Sequence, residues 1–135
     1  MIGVVGLGYV GLPLVRTFIE GGFHVIGFDT DQQKIETLAA GESYIRHIPG
    51  EWIDATLAKG RLTPTHDMSR LHETDVIVIC VPTPLSPDRS PDLTYVQRTA
   101  EAIARHLRPG QLVILESTTY PSTTREIVLP LLQQS

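Results

Sequence analysis

Three glycines, Gly6, Gly8 and Gly11, fall directly after the apolar run Ile2 to Val5 and directly before a helical pattern. No other stretch of the chain restricts its fold so tightly. A short apolar run with adjacent valines predicts a strand buried on both faces. From Tyr9 to about Glu20 the apolar residues Val10, Leu14, Val15 and Phe18 recur at helical spacing, and Pro13 is acceptable because it lies in the first turn. Gly21-Gly22 ends that helix. A buried strand feeding a helix through so small a turn is the opening unit of a layered α/β chain.

The remaining sequence continues the alternation. Phe23 to Phe28 predicts a second strand, ending at Asp29, and Asp31 to Ala40 a short helix stopped by Gly41. Between Glu42 and Gly60 the pattern is less regular, with a helix expected from Glu51 to Lys59 and a short edge strand from Arg61 to Thr65. Asp75 to Pro82 contains Val-Ile-Val-Ile-Cys-Val, the composition of a central parallel strand. Asp92 is placed to cap a helix whose residues Leu93, Val96, Ala100, Ile103, Ala104 and Leu107 share one face, and Arg108-Pro109-Gly110 terminates it. Gln111 to Leu115 is another strand, Glu116 to Pro121 a polar loop, and Thr123-x-x-Glu126 a capping box opening the last helix. These elements predict an α/β fold, a doubly wound parallel sheet of the Rossmann type with strand order 3-2-1-4-5. The ligand crevice then lies at the carboxyl ends of the first and fourth strands.

Size and composition bound the rest. A chain of 135 residues that is 41% hydrophobic has room for one compact domain spanning residues 1–135 and one core. Its net charge of −4, with Lys and Arg scattered singly, argues against a nucleic-acid partner. Cys80 is the one cysteine, which excludes an internal disulfide and agrees with a reducing, cytoplasmic setting. No apolar run approaches the ~20 residues of a membrane helix, so no membrane partner is expected. The five histidines are not at metal-ligand spacings, and no metal site is predicted. The helical pattern from Thr124 to Leu132 stops in Gln133-Gln134-Ser135 with no strand after it, as in a fragment of a longer chain.

The glycine turn carries the first chemistry. In the pattern G-x-G-x-x-G, Gly6 permits a tight turn, Gly8 lets backbone approach a pyrophosphate, and Gly11 permits close packing of helix on strand. The pattern alone is weak; its place between a strand and a helix makes it a dinucleotide site. Asp29 ends the second strand, where a carboxylate accepts hydrogen bonds from ribose hydroxyls and repels the 2′-phosphate of NADP, so NAD is the expected cofactor. Its other reading is a helix cap, a task for which Asp31 is equally suited. Lys34, one turn into the next helix, reads either as a cation standing near a 2′-phosphate or, the more frequent case, as a solvated surface lysine.

Val81-Pro82-Thr83-Pro84 reads either as a stiff cofactor wall or as a plain strand terminator. Glu116-Ser117-Thr118-Thr119-Tyr120-Pro121 reads either as a proton relay around a polarised water or as an ordinary polar loop. Cys80, inside an apolar run with no cation near it in sequence, reads as inert packing and not as a nucleophile.

Six stretches of this chain resemble the nucleotide-sugar 6-dehydrogenases, the UDP-glucose and UDP-N-acetylhexosamine dehydrogenase group. They are Gly6 to Leu14, Gly27 to Asp31, Gly41 to Ile45, Cys80 to Pro84, Pro91 to Leu93 and Leu115 to Pro121. The wording at Ser43-Tyr44-Ile45 and Glu116 to Pro121 is closer to the UDP-N-acetylglucosamine or UDP-N-acetylmannosamine branch. The resemblance implies an enzyme that oxidises the C6 alcohol of a UDP-linked sugar to a carboxylate with two NAD, in a homo-oligomer. By position it implies that Gly6, Leu7, Gly8, Tyr9, Val10 and Gly11 hold the pyrophosphate, with Asp29 on the adenosine ribose and Lys34 beside it as a cofactor contact. Val81, Pro82 and Thr83 would line the adenosine and ribose side. Ser117 and Thr118 would reach the nicotinamide, Thr118 also positioning a catalytic water.

The family's reactive cysteine, lysine and asparagine belong beyond Ser135, so the chain by itself is expected to bind NAD and turn nothing over. Two residues depart from the family's pattern. Thr30 stands where an aliphatic side chain is frequent, and Ser122 replaces a glycine that allows positive φ. Two other readings stay open: a non-catalytic NAD-sensing module, and a different dehydrogenase with a similar first domain, such as the 3-hydroxyacid group.

Overall fold

In the computed structural model the described residues are 1–117, 119 and 121–134. Five strands, β1 (Ile2–Val5), β2 (Val25–Phe28), β3 (Leu62–Thr65), β4 (Val76–Ile79) and β5 (Leu112–Leu115), form one sheet in the order β3-β2-β1-β4-β5. Every pairing is parallel, and the strands start level: Ile2 pairs with both Val25 and Val76, and Val5 with both Phe28 and Ile79. The expected order is therefore the observed one. Four helices lie between the strands, α1 (Gly11–Glu20), α2 (Gln32–Ala39), α3 (Gly50–Ala58) and α4 (Thr94–His106), and α5 (Leu129–Leu132) follows the last strand.

Alternation along the strands divides the core between the two faces. Ile2, Val4, Val25 and Val78 meet Leu12 and Val15 of α1, Ile35 and Leu38 of α2 and Ile53 of α3 on one face. Val5, Ile26, Phe28, Ile77 and Ile79 meet Leu71 and Ile103 on the other. The strand positions need not all be apolar for this: β3, at one margin, holds Pro64, which an edge strand tolerates.

The amino ends of β4 and β5 are fastened to each other by side chains. Arg108 Nε donates to the His72 carbonyl at 2.8 Å, and its Nη2 donates to the Thr74 carbonyl and to Asp75 Oδ1, both at 2.9 Å. Gln111 Nε2 donates to the carbonyls of Leu71 (2.9 Å) and Thr74 (2.6 Å).

Two segments differ from expectation. Met68–Glu73 forms a 3-10 turn, capped by Asp67 Oδ1 accepting from Ser69 N–H, where no element was anticipated. The capping box is corrected as well. Thr123 is itself helical (φ −56°, ψ −44°), whereas an N-cap residue is extended, and the coil widens to a π-helix over Thr124–Val128 before α5. The turn is set one residue earlier by Ser122 at φ +73°. That is the left-handed conformation a glycine would adopt freely, as the departure at this position implied.

Candidate functional site

Level strands bring their carboxyl ends, and the loops that follow them, to one edge of the sheet. There the turn after β1, the Asp29 end of β2 and the loops after β4 and β5 enclose a cleft of about 710 Å³. Gly6, Leu7, Gly8, Tyr9, Val10, Asp29, Lys34, Val81, Pro82, Thr83 and Ser117 all line it, so eleven of the thirteen residues singled out in the sequence converge on one space. Gly11 stands behind the turn, and Thr118 lies outside the described residues.

Each glycine of the turn answers a distinct steric demand. Gly6 has φ +99°, and a Cβ there would meet the Cys80 carbonyl oxygen at 2.6 Å. A Cβ on Gly11 would stand 1.6 Å from the Gly6 carbonyl oxygen, so no side chain fits between α1 and the turn. A Cβ on Gly8 would meet nothing within 4 Å. Its neighbours impose no need for glycine, and the open space before its backbone belongs to the cleft. Tyr9 and Val10, 82% and 58% exposed, project from the same turn. The N-terminus of α1 has no side-chain cap and no acidic residue in its first turn, leaving N–H groups and the positive end of the helix dipole for an anion.

The cap of α2 is Asp31, and Asp29 makes other bonds. Its Oδ2 accepts from Leu7 N–H and its Oδ1 from Asp31 N–H, both at 2.9 Å, while Asp31 Oδ1 caps α2 by accepting from Gln33 N–H at 3.0 Å. Asp29 thus ties the glycine turn to the end of β2 and keeps its carboxylate on the cleft. Lys34 is not a free surface side chain: its Nζ lies 4.0 Å from Asp29 Oδ2 and 5.8 Å from the centre of the Tyr44 ring. Tyr44 donates its hydroxyl to the Leu7 carbonyl at 2.5 Å. Burial, reinforced by the nearby Asp29 and Asp31 carboxylates, raises its pKa, so the phenol stays a donor.

At the other wall Ser117 Oγ donates to the Val81 carbonyl at 2.8 Å, joining the ends of β4 and β5. Burial, and secondarily the charge of Glu116, push the Cys80 thiol up to about 11, so it is a neutral packing group at physiological pH. Among the described residues no group of His, Cys, Asp and Glu is arranged to hold a metal ion.

The cleft also has contributors that the sequence reading passed over: Met68 from the 3-10 turn, and Tyr95, Arg98 and Thr99 from α4. The last three sit at i, i+3 and i+4, one helical face beside the apolar face already recognised. That spacing was the available signal.

A glycine-built turn at a helix N-terminus, with a carboxylate at the end of the neighbouring strand, defines a dinucleotide-binding domain. Its open glycine, uncapped amides and cleft-lining carboxylate fit such a cofactor. Residues 1–135 match the family described as UDP-glucose/GDP-mannose dehydrogenase family, NAD binding domain. The chain is 38% identical over 130 residues to UDP-N-acetyl-D-mannosamine dehydrogenase of Pyrococcus horikoshii, covering 93% of this chain and 30% of that protein. To UDP-N-acetyl-D-glucosamine 6-dehydrogenase of Pseudomonas aeruginosa it is 37% identical over 134 residues, covering 98% and 31%. The structure superposes on GDP-mannose dehydrogenase from Pseudomonas aeruginosa with a TM-score of 0.93 at 30% identity, covering 98% of this chain and 32% of that one. The chain belongs to the UDP-glucose/GDP-mannose dehydrogenase family, as its NAD-binding domain. It spans about 30% of the length of these relatives.

Proposed function

We propose that this chain is the cofactor-binding part of an enzyme that oxidises the C6 alcohol of a UDP-hexose or UDP-N-acetylhexosamine to a carboxylate. The observation that carries this reading is the union of the glycine turn, Asp29 and the two hydroxyl-bearing walls on one cleft, in a chain 37–38% identical to proteins named as N-acetylhexosamine dehydrogenases. Bound NAD supplies a hydride acceptor, and the overall change consumes two of them: the alcohol and one water give the carboxylate, two NADH and three protons.

The chain's own residues bind and orient. Gly6 to Gly11 offer backbone N–H groups and the α1 dipole to the pyrophosphate. Asp29 accepts from the adenosine ribose hydroxyls and rejects a 2′-phosphate, and Lys34 stands beside it as a further contact. Val81, Pro82 and Thr83 form the adenosine and ribose wall. Ser117 and Thr118, at the end of β5, serve the nicotinamide end, with Thr118 holding the water that the second oxidation consumes. A homo-oligomeric, cytoplasmic parent enzyme completes the proposal. It agrees with the lone unpaired cysteine, and no helix among the described residues is long and apolar enough to cross a membrane.

The test uses the whole gene product that contains this chain. NADH formation is followed at 340 nm in the presence of UDP-N-acetylmannosamine, UDP-N-acetylglucosamine, UDP-glucose and GDP-mannose. Two NADH per sugar with a UDP-linked substrate is the expected result. Tight NAD binding with no turnover of any of the four would instead make the chain a sensing module.

A further inference from the structure

We propose that Tyr44 is a positioning residue for the phosphate-binding turn, acting from the loop between α2 and α3 through the carbonyl of Leu7. The proposal rests on the cofactor reading of the cleft. Leu7 is held at every group it possesses. Its side chain is fully buried, filling the space over Gly27, where an added Cβ would lie 3.1 Å from Leu7 Cδ1 and Cδ2. Its N–H is bound by Asp29 Oδ2 at 2.9 Å, and its carbonyl accepts from the Tyr44 hydroxyl at 2.5 Å.

The consequence for a ligand comes from peptide geometry. The Leu7–Gly8 peptide is trans, since no cis peptide bond is present, so its C=O and N–H point in opposite directions. With the carbonyl turned to Tyr44, the Gly8 N–H is turned away from Tyr44. Gly8 is the glycine whose Cβ side is open and which lines the cleft, whereas Tyr44 does not line it. A phenol outside the cleft thereby sets the plane of the peptide that meets the pyrophosphate.

Tyr44 is itself fixed. Ser43 Oγ donates to the Ile45 carbonyl at 3.0 Å and accepts from Ile45 N–H at 3.1 Å, closing a tight turn around Tyr44. Ile45 and Ile48 are buried in the core, and Lys34 covers the ring. A loop this well anchored holds a donor whose bond spans 37 residues.

The experiment is a ¹⁵N NMR titration of the chain and of Tyr44→Phe with NAD, ADP and adenosine, which share the adenosine but not the pyrophosphate. Phe keeps the ring and removes only the donor. Loss of one such bond predicts about five- to tenfold weaker binding of NAD and ADP, adenosine affinity within about twofold of the unmodified chain, and a displaced Gly8 amide resonance in the free protein. Unchanged NAD affinity, or equal losses for all three ligands, would overturn the proposal. So would failure of Tyr44→Phe to fold, because Tyr44 would then serve the fold and not the turn. If the unmodified chain binds neither NAD nor ADP, the cofactor reading fails instead.

Discussion

A single methyl group added to the glycine turn should damage different properties at Gly8 and at Gly11. At Gly11 the new Cβ would stand 1.6 Å from the Gly6 carbonyl oxygen, where ordinary contact begins near 3.4 Å. The helix and the turn must then separate by about 2 Å, although α1 is packed on β1 and β2 and the turn lies against the Cys80 backbone. Overpacking a tight site costs about 1–3 kcal/mol, and more where the obstacle cannot rotate away. A loss of about 3 kcal/mol is expected for Gly11→Ala, which in a domain of this size lowers Tm by roughly 10 °C. At Gly8 the same methyl meets nothing within 4 Å, and the backbone is not left-handed there. Gly8→Ala should leave Tm unchanged or raise it slightly, since alanine restricts the unfolded chain by about 0.4–1 kcal/mol. Its methyl would occupy the space a pyrophosphate approaches, so NAD affinity should fall at least about tenfold, or about 1.4 kcal/mol. Circular dichroism melting and calorimetric NAD titration on both variants separate the two effects. Undiminished NAD binding by Gly8→Ala, or a Gly11→Ala melting point within about 2 °C of the parent, would refute the steric argument.

Three further outcomes are expected. Asp29→Asn removes the charge that repels a 2′-phosphate and one of the two acceptors now holding Leu7 and Asp31; NAD should bind about tenfold more weakly while the preference moves toward NADP, and calorimetry with both cofactors showing an unmoved ratio would contradict the assignment. Cys80, raised to about 11 from an ordinary 9.0, favours its neutral form in the fold, so its contribution to stability is present below pH 9 and lost as pH rises through 11. Its alkylation rate in the native protein should keep rising about tenfold per pH unit past 9, and a plateau there would show an unburied thiol. Ser122→Gly relieves a left-handed φ of +73°, predicting a gain of about 0.5–1 kcal/mol and a melting point a few degrees higher; a lower one would mean that the serine side chain itself supports the turn.

Strand order was legible because three β-branched runs, each followed by glycine, aspartate or proline, alternate with helical periodicity, and right-handed crossovers leave few ways to arrange them. That the glycine turn and Asp29 share one cleft was legible for a related reason: both sit next in sequence to a strand end, and parallel strands bring those ends to one edge. The 3-10 turn at Met68–Glu73 was not, since six residues hold too few turns to display a period. The last helix was misread because Thr123 and Glu126 have the spacing of a capping box, and only the backbone reveals that Ser122 makes the turn. Tyr44 was visible as part of a matching stretch, yet its bond to Leu7 joins a loop without periodicity to a turn far away in sequence. Such a contact exists only once β1, α2 and the loop are packed.

The fastening of Arg108 and Gln111 at the amino ends of the strands has a consequence for how the domain divides its tolerance to change. Their five donated bonds join the amino ends of β4 and β5, at the edge of the sheet remote from the cleft. Amide exchange should therefore be slowest at that end of β4 and β5 and quicken toward the loops, so that opening begins where ligands enter without travelling down these strands. A scaffold clamped at one margin permits substitutions at the other to alter what is bound while the alignment of the strands persists.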